Sequence, residues 1–422
     1  MMRQLVNIAR LTRRDYESWL QELLYFFIKT PGTCGLENCR PVGLLEVLFK
    51  CSEAFEAAAM VSVWKKMGTM SEEQWAFTEG KGCDGPLLMW MLMSEEAYLH
   101  KMDIAETEVD KKQAFDSPTP AAVCMVMRRQ AMPEWKVRQY ERRANSTLTR
   151  VISPFGLTES FIRLQGLTQG GTLSPILWNQ LIEVLIAMVK EYEKDSPGRI
   201  VDEWGDIMEI LLQLFADDES VAAMGEEVAA ASARRVAIST IWGHFFGVDI
   251  KDTKSWAALG IWARGEVSRR ADSTGEAVVR VSKAHRAEQA SMLETHEHGQ
   301  LLVVDDPFAK SQVRIGVIGP YECKRVLGSQ RSLGQYPGVP RERAVEELEL
   351  TTRAVQQMPG YGWLAKQVAS TVGYQRLMYR LMYNYVFGEE VTTIMRPLRQ
   401  AVMRKLKLQP GTSLHVSAAL IW

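Results

Sequence analysis

The sequence predicts an α+β fold, on three observations. Apolar residues recur at helical spacing over residues 52–68, 86–102, 120–145, 173–194 and 225–246. Within residues 208–223, two short apolar runs flank Asp217-Asp218, the pattern of an antiparallel hairpin with a polar tip. Residues 342–408 read as helices again, broken at Pro359-Gly360 and Arg396-Pro397.

Taken in order, the first thirty residues are helical and then extended, up to the breaker Thr30-Pro31-Gly32. The helices at 52–68 and 86–102 are separated by the glycine-rich stretch at 80–85. The helix at 120–145 ends near Asn145-Ser146, and that at 173–194 is closed by Ser196-Pro197-Gly198. Gly247 suits the end of the helix at 225–246. Residues 262–311 are polar, rich in Arg, Glu and Ser, and are predicted to be an insertion rather than core. They include His296 and His298, but with no further Cys or His nearby the pair does not predict a zinc site. Residues 312–335 read as short strands.

At 422 residues, with 46% hydrophobic and 24% charged residues, the chain is an ordinary globular protein of two or three subdomains. Its apolar runs, such as 23–28 and 210–215, fall far short of the ~20 residues that span a bilayer. Arg3, Arg10, Arg13 and Arg14 open the chain without the apolar core and cleavage site of a signal peptide. An intracellular protein, nuclear or cytoplasmic and not secreted, is expected. The six cysteines have no paired spacing, so reduced thiols are predicted.

A net charge of -1 conceals an uneven distribution. Residues 121–150 carry seven Lys or Arg against two Glu, and residues 341–422 eleven against six, a net of +5 each. Residues 41–110 carry thirteen Asp or Glu against five Lys, a net of -8. Two basic faces for an anionic partner are therefore expected, beside one acidic region.

The residues that carry chemistry are carboxylates. Asp110 precedes the aromatic Phe115 by five positions, and Asp217-Asp218 sit at the hairpin tip, where Asp tolerates a left-handed turn. Hard divalent cations bind through one or two carboxylates and complete their shells with water and phosphate oxygens. An Asp-Asp pair alone usually marks a turn. Between these carboxylates, however, lies a glycine-rich loop, Gln165-Gly166-Leu167-Thr168-Gln169-Gly170-Gly171-Thr172, running into Ser174-Pro175, which suit a helix start. Without a Cβ, such a loop lets backbone come close to a ligand or another strand.

In this order, the motifs resemble the reverse transcriptases, and among them the non-LTR (LINE-type) retroelements. Asn38-Cys39-Arg40-Pro41-Val42-Gly43 and Gln74-Trp75-Ala76-Phe77 resemble the family's fingers motifs. The Asp110 segment, the Gln169 loop and Phe215-Ala216-Asp217-Asp218 resemble its three catalytic motifs. Gly247-Val248-Asp249-Ile250 through Lys254 is similar to the fourth, and Arg325-Val326-Leu327-Gly328 to the primer grip.

The resemblance implies a right-hand polymerase with fingers, an antiparallel-sheet palm and a helical thumb. The implied divisions are an N-terminal extension (1–24), fingers (25–104), palm (105–261), the polar insertion (262–311), palm end and primer grip (312–335), and a thumb (336–422) that the chain's end truncates. Asp110 and Asp217, with Asp218 adjacent, would bind two Mg²⁺ ions, with Mn²⁺ as a substitute. Together they would serve nucleotidyl transfer to a primer 3′-end. Phe115 would exclude a 2′-hydroxyl. Gln169 and Gly170 would meet the incoming nucleotide, Arg40 its triphosphate, and Lys254 would protonate the pyrophosphate.

The implied partners are an RNA template, a DNA or RNA primer and dNTPs, with no membrane. Arg128, Arg129, Lys136, Arg138, Arg142 and Arg143, and a thumb interleaving arginines with Tyr374, Tyr379, Tyr383 and Tyr385, would contact phosphates. Two departures stand out: the acidic 41–110 region, and Glu106 and Glu108 where the family has an apolar strand. Three alternatives stay open. An RNA-dependent RNA polymerase would usually carry Gly before the Asp pair and a small residue in place of Phe115. An inactive RNA-binding relative would suit the acidic fingers. A maturase would need a basic segment that is not evident.

Overall fold

The computed structural model describes residues 2–29, 32, 35–202, 204–225, 227–260, 270–271, 277–278, 293–296, 299–309, 311–320, 322–327, 329–333, 338–358, 365, 368–369 and 388–406. The chain opens with α1 (Met2–Thr12), β1 (Gln21–Ile28), β2 (Cys39–Leu45), α2 (Val47–Met67) and α3 (Asp84–Leu99). Next come β3 (Ile104–Val109), α4 (Pro120–Arg129), α5 (Glu134–Ser146), β4 (Leu148–Ser153), β5 (Gly156–Leu157), β6 (Phe161–Ile162) and α6 (Ser174–Tyr192). They are followed by β7 (Gly198–Val201), β8 (Ile207–Ile210), β9 (Leu212–Phe215), β10 (Asp218–Met224), α7 (Val228–Phe246) and β11 (Trp256–Gly260). Short strands β12 (Arg270–Ala271), β13 (Ala277–Val278) and β14 (Leu293–His296) precede β15 (Gly299–Asp306) and β16 (Ser311–Ile318). The hairpin β17 (Lys324–Val326) and β18 (Ser329–Arg331) leads to α8 (Gly338–Gln357) and α9 (Gly388–Lys405).

Local chemistry explains the boundaries. Thr119 accepts the Ala122 amide (3.2 Å) at the start of α4, with Pro120 in the first turn. Gly247 closes α7 at a left-handed φ of 74°.

A central sheet of seven strands runs in the order β14-β15-β16-β11-β3-β10-β9, antiparallel except where β11 meets β16. Alternate residues of β3 and β10 serve opposite faces. Ala105, Val109, Val221 and Ala223 pack against Val228, Ala229 and Val236 of α7. On the other face Ile104, Ala222 and Met224 pack against Trp90, Met93 and Ala97 of α3. Helices on both faces bury all six residues of β3. A second sheet pairs β1 antiparallel with β2 and parallel with β4, so it joins the first strands to the segment after α5. In the C-terminal helix pair, Leu348 and Val355 of α8 pack against Ile394, Leu398 and Val402 of α9. Among the described residues, no helix is long and apolar enough to cross a membrane.

The structure differs from expectation in three places. The helix expected over 120–145 is two, α4 and α5, separated where Ala131 takes a φ of 55° and Pro133 opens the next helix. Conversely, Arg396-Pro397 does not end a helix: Pro397 lies inside α9, where the burial of Ile394, Leu398 and Ala401 offsets the missing amide. The polar segment 262–311 is not wholly outside the core. Its last strand, β15, pairs with β16 and buries Leu302 and Val304 against α7. Arg, Glu and Ser crowd the earlier part of that segment and hide an alternating strand at its end. Residue His298, Tyr374, Tyr379, Tyr383, Tyr385 and the Pro359-Gly360 break lie outside the described residues. Cys39, Cys51, Cys83, Cys124 and Cys323 are free thiols, as expected; Cys34 lies outside the described residues.

Candidate active site

Sheet register brings the catalytic-type carboxylates together. Asp110 follows β3, Asp218 begins β10, and Glu219 pairs with Val109 across the two strands. Asp110 thus stands opposite the turn that carries Asp217 and Asp218. Ala216 makes that turn at a left-handed φ of 58°. The segment after Gly247 clamps Asp110 from the other side. The Lys251 amide donates to the Asp110 carbonyl (2.7 Å) and the Asp110 amide to Ser255 Oγ (3.0 Å).

The three carboxylates share one electrostatic field. Burial pushes Asp218 up to about 6, with repulsion from Asp217 and Asp110 adding to it and Lys254 opposing. Asp217 is raised by burial and by Asp110, against its own backbone hydrogen bond, Lys111 and Arg40. Lys254 and Arg40, both singled out in the sequence, therefore lie where their charge reaches the Asp pair.

Hard oxygen donors that repel one another, open to water on one side, suit divalent magnesium. Among the described residues, no Lys or Arg forms an ion pair with Asp110, Asp217 or Asp218. Equally, no group of three His, Cys, Asp or Glu side chains among them closes into one coordination sphere.

Beneath the carboxylates lies a polar layer that sequence reasoning did not identify. Lys111, beside Asp110, donates to Glu219 Oε2 (2.5 Å) and Ser239 Oγ (3.0 Å), and its ammonium sits 5.0 Å over the Trp242 ring. Lys111 and Glu219 are both buried, so the pair pins β3 and β10 together. Glu108, one of the two unexpected glutamates of β3, accepts a hydrogen bond from Ser220 (2.5 Å). Burial pushes it up to about 8, with Asp218 and Glu219 adding to the Ser220-opposed shift. The only sequence signal was adjacency: Lys111 and Glu219 each follow a catalytic-type Asp.

Phe115 sits in a single 3-10 turn, Ala114–Asp116, with its ring stacked on Trp178 (centroids 5.2 Å, planes 26° apart) and edge-on to Phe77 (6.4 Å). Trp178 then reaches the turn before Asp217, donating from Nε1 to the Ala216 carbonyl (2.8 Å). Gln74 completes the hold. Its Oε1 accepts the amides of Ala216 (3.3 Å) and Ala76 (2.9 Å), and the Trp75 amide bonds the Leu214 carbonyl (2.9 Å). The fingers-type motif at Gln74-Trp75 is therefore a brace for the hairpin.

The Gln169 loop meets the first sheet. The Gly43 amide donates to the Gln169 carbonyl (2.6 Å), and Gln169 Nε2 donates to Asp116 Oδ2 (2.8 Å). Burial raises Asp116, against Arg163 and Gln169. Gly170, at a φ of 113°, leaves no room for a side chain: a Cβ there would lie 2.5 Å from the Gly43 carbonyl oxygen. Arg40 is exposed on β2 opposite Phe27, three residues from this junction.

Of the six basic residues singled out in 121–150, four have carboxylate partners, and Arg129 and Arg142 have none among the described residues. Lys136 is buried against Glu56 (2.5 Å) and Arg143 against Asp15 (2.8 Å), while Arg128 and Arg138 both hold Glu134. Part of the acidic excess of 41–110 is met from outside it, Glu56 pairing with Lys136 and Glu73 with Lys190, while Glu72 and Glu79 pair within it, with Lys81 and Lys65. Opposite charges far apart in sequence neutralise one another in the fold. Of the primer-grip residues, Arg325 and Val326 lie in β17 and Leu327 in the turn after it; Gly328 lies outside the described residues.

A family model for reverse transcriptases (RNA-dependent DNA polymerases) matches residues 28–293, and the chain belongs to that family. No curated protein matches the sequence. Among solved structures, telomerase from Candida albicans in complex with a TWJ fragment of telomeric RNA is similar at 8% identity and a TM-score of 0.45, over 97% of this chain and 65% of that one. The corresponding Candida tropicalis complex gives 9% and 0.44, over 96% and 57%. Apo telomerase from Candida tropicalis, truncated from its C-terminal domain, gives 9% and 0.44, over 60% and 53%. The chain thus spans between half and two thirds of the length of these structures. Membership of the family makes the fold a polymerase palm with fingers and a helical thumb.

Proposed function

We propose that this chain is an RNA-directed DNA polymerase of a non-LTR retroelement, working inside the cell and adding deoxynucleotides to a DNA or RNA primer on an RNA template. The observation that carries this reading is the register that sets Asp110 against Asp217 and Asp218, with Phe115 fixed nearby on Trp178. Asp110 and Asp217 would hold two Mg²⁺ ions, with Asp218 contributing. When bound, the metals polarise the primer 3′-hydroxyl and neutralise the leaving pyrophosphate. Phe115 blocks the space a ribose 2′-hydroxyl would need. Arg40 holds the triphosphate, Gln169 and Gly170 line the nucleotide site, and Lys254 carries the proton destined for pyrophosphate.

Primer extension on an RNA template, with dNTPs and NTPs supplied separately, tests this. Wild type should extend with dNTPs and Mg²⁺, use NTPs poorly, and lose all extension as Asp217→Asn. Equal use of NTPs would favour an RNA-dependent RNA polymerase. No extension by a folded wild type would favour an inactive RNA-binding relative.

A further inference from the structure

Between α1 and α5 lies an open groove of about 700 Å³, lined by Arg13, Arg14, Glu134, Trp135, Arg138 and Arg142. None of these residues belongs to the candidate active site. The α1 side of the groove precedes residue 28, where the family match begins, and the α5 side lies within that match. Four guanidiniums face one carboxylate, and that carboxylate is already engaged: Glu134 is held by Arg128 (3.0 Å) and Arg138 (3.2 Å). Among the described residues, Arg13, Arg14 and Arg142 have no carboxylate partner.

The arginines are also pre-set. Arg13 follows α1 at a left-handed φ of 56°, where glycine is the usual residue. Arg142 Nη2 donates to the Arg13 carbonyl (3.1 Å), fixing that turn. The Arg13 guanidinium then lies 5.0 Å over the ring of Trp135, which is 37% exposed. Planar guanidinium forks beside a partly exposed indole recognise phosphate and a neighbouring base.

We propose that this groove binds the phosphate backbone of a single-stranded nucleic acid, at a second site apart from the carboxylate cluster. Forked donors match phosphate oxygens, and the exposed part of Trp135 offers an unpaired base an aromatic contact. The proposal goes beyond polymerisation and stands whether or not the chain extends a primer.

Anisotropy of labelled oligouridylate and oligothymidylate, read against salt without Mg²⁺, tests it on the full chain. In R13Q/R14Q/R142Q the slope of log K against log salt should fall by roughly 2, since each phosphate contact on a single strand contributes ~0.7. Affinity should then drop most at low salt, while the control K194Q, an exposed lysine outside the groove, stays at wild-type values. Ultraviolet crosslinking of the unmutated chain gives a reading that does not depend on the variant folding: the peptide containing Trp135 should carry the adduct. Equal binding of the two oligomers indicates backbone recognition alone, and preference for oligouridylate adds the 2′-hydroxyl; both support the site. An unchanged slope in a folded triple variant, no wild-type binding, no adduct near Trp135, or equal competition by polyglutamate would overturn it.

Discussion

Trp178 links two tasks in one side chain. Its face carries Phe115, the residue proposed to select the sugar, and its Nε1 holds the Ala216 carbonyl next to Asp217. Ala216 occupies a backbone region that alanine seldom adopts, so the turn depends on such outside contacts. Trp178→Phe keeps an aromatic ring against Phe115 and removes the hydrogen bond. A neutral hydrogen bond contributes ~1 kcal/mol, which as a shift in turn population corresponds to roughly fivefold in kcat. Steady-state primer extension should show that loss in kcat with little change in the KM for dNTP. A wild-type kcat would mean that Gln74 alone sustains the turn.

The contact between β2 and the Gln169 loop is a close joint between two elements at the site. Gly170 combines a φ of 113° with carbonyl contact from Gly43, so Gly170→Ala meets both backbone strain and a clash. A loss of ~1–3 kcal/mol in urea unfolding is expected, together with weaker nucleotide binding, because Gln169 is the neighbour of Gly170. A variant of wild-type stability would show that the loop relaxes away from β2. Elements also explain the departures from the family pattern. Glu108 is tolerated in a strand buried on both faces because Ser220 hydrogen-bonds it and burial raises its pKa to about 8, which spares the sheet a bare charge. The split between α4 and α5 lets α5 turn its basic residues onto Glu56 and Asp15.

At the scale of the molecule, charge pairing across long sequence separations holds the parts together. His244 of α7 meets Asp306 at the end of β15 (2.8 Å), so the helical layer is tied to the segment read from the sequence as an insertion. Burial alone would raise Asp306, but hydrogen bonds from the Ala309 amide, His244 and the Phe308 amide outweigh it and hold the carboxyl below its ordinary range. A carboxylate whose folded pKa is lowered adds stability above its unfolded pKa and loses that contribution as pH falls through the folded value. Thermal unfolding of Asp306→Asn should therefore trail wild type above about pH 5, and the gap should narrow as pH falls below the ordinary carboxylate value of about 3.9. A constant gap across that window would remove the carboxylate from the account.

What the sequence determined by itself was local. The helix periods, the Gly247 stop, the hairpin at Asp217-Asp218, the glycine-rich loop and the order of the motifs were all legible, because each is written within a few residues by spacing and turn chemistry. The family followed from that order. The tertiary structure alone decided which charges are paired, that β15 joins the sheet, that Gln74 and Trp178 brace the turn at Ala216, and that α1 and α5 form a basic groove. Lys111 and Glu219 stand 108 positions apart, and Trp178 and Ala216 stand 38 apart. Contacts of that reach depend on strand register and helix packing, which no local pattern of residues encodes.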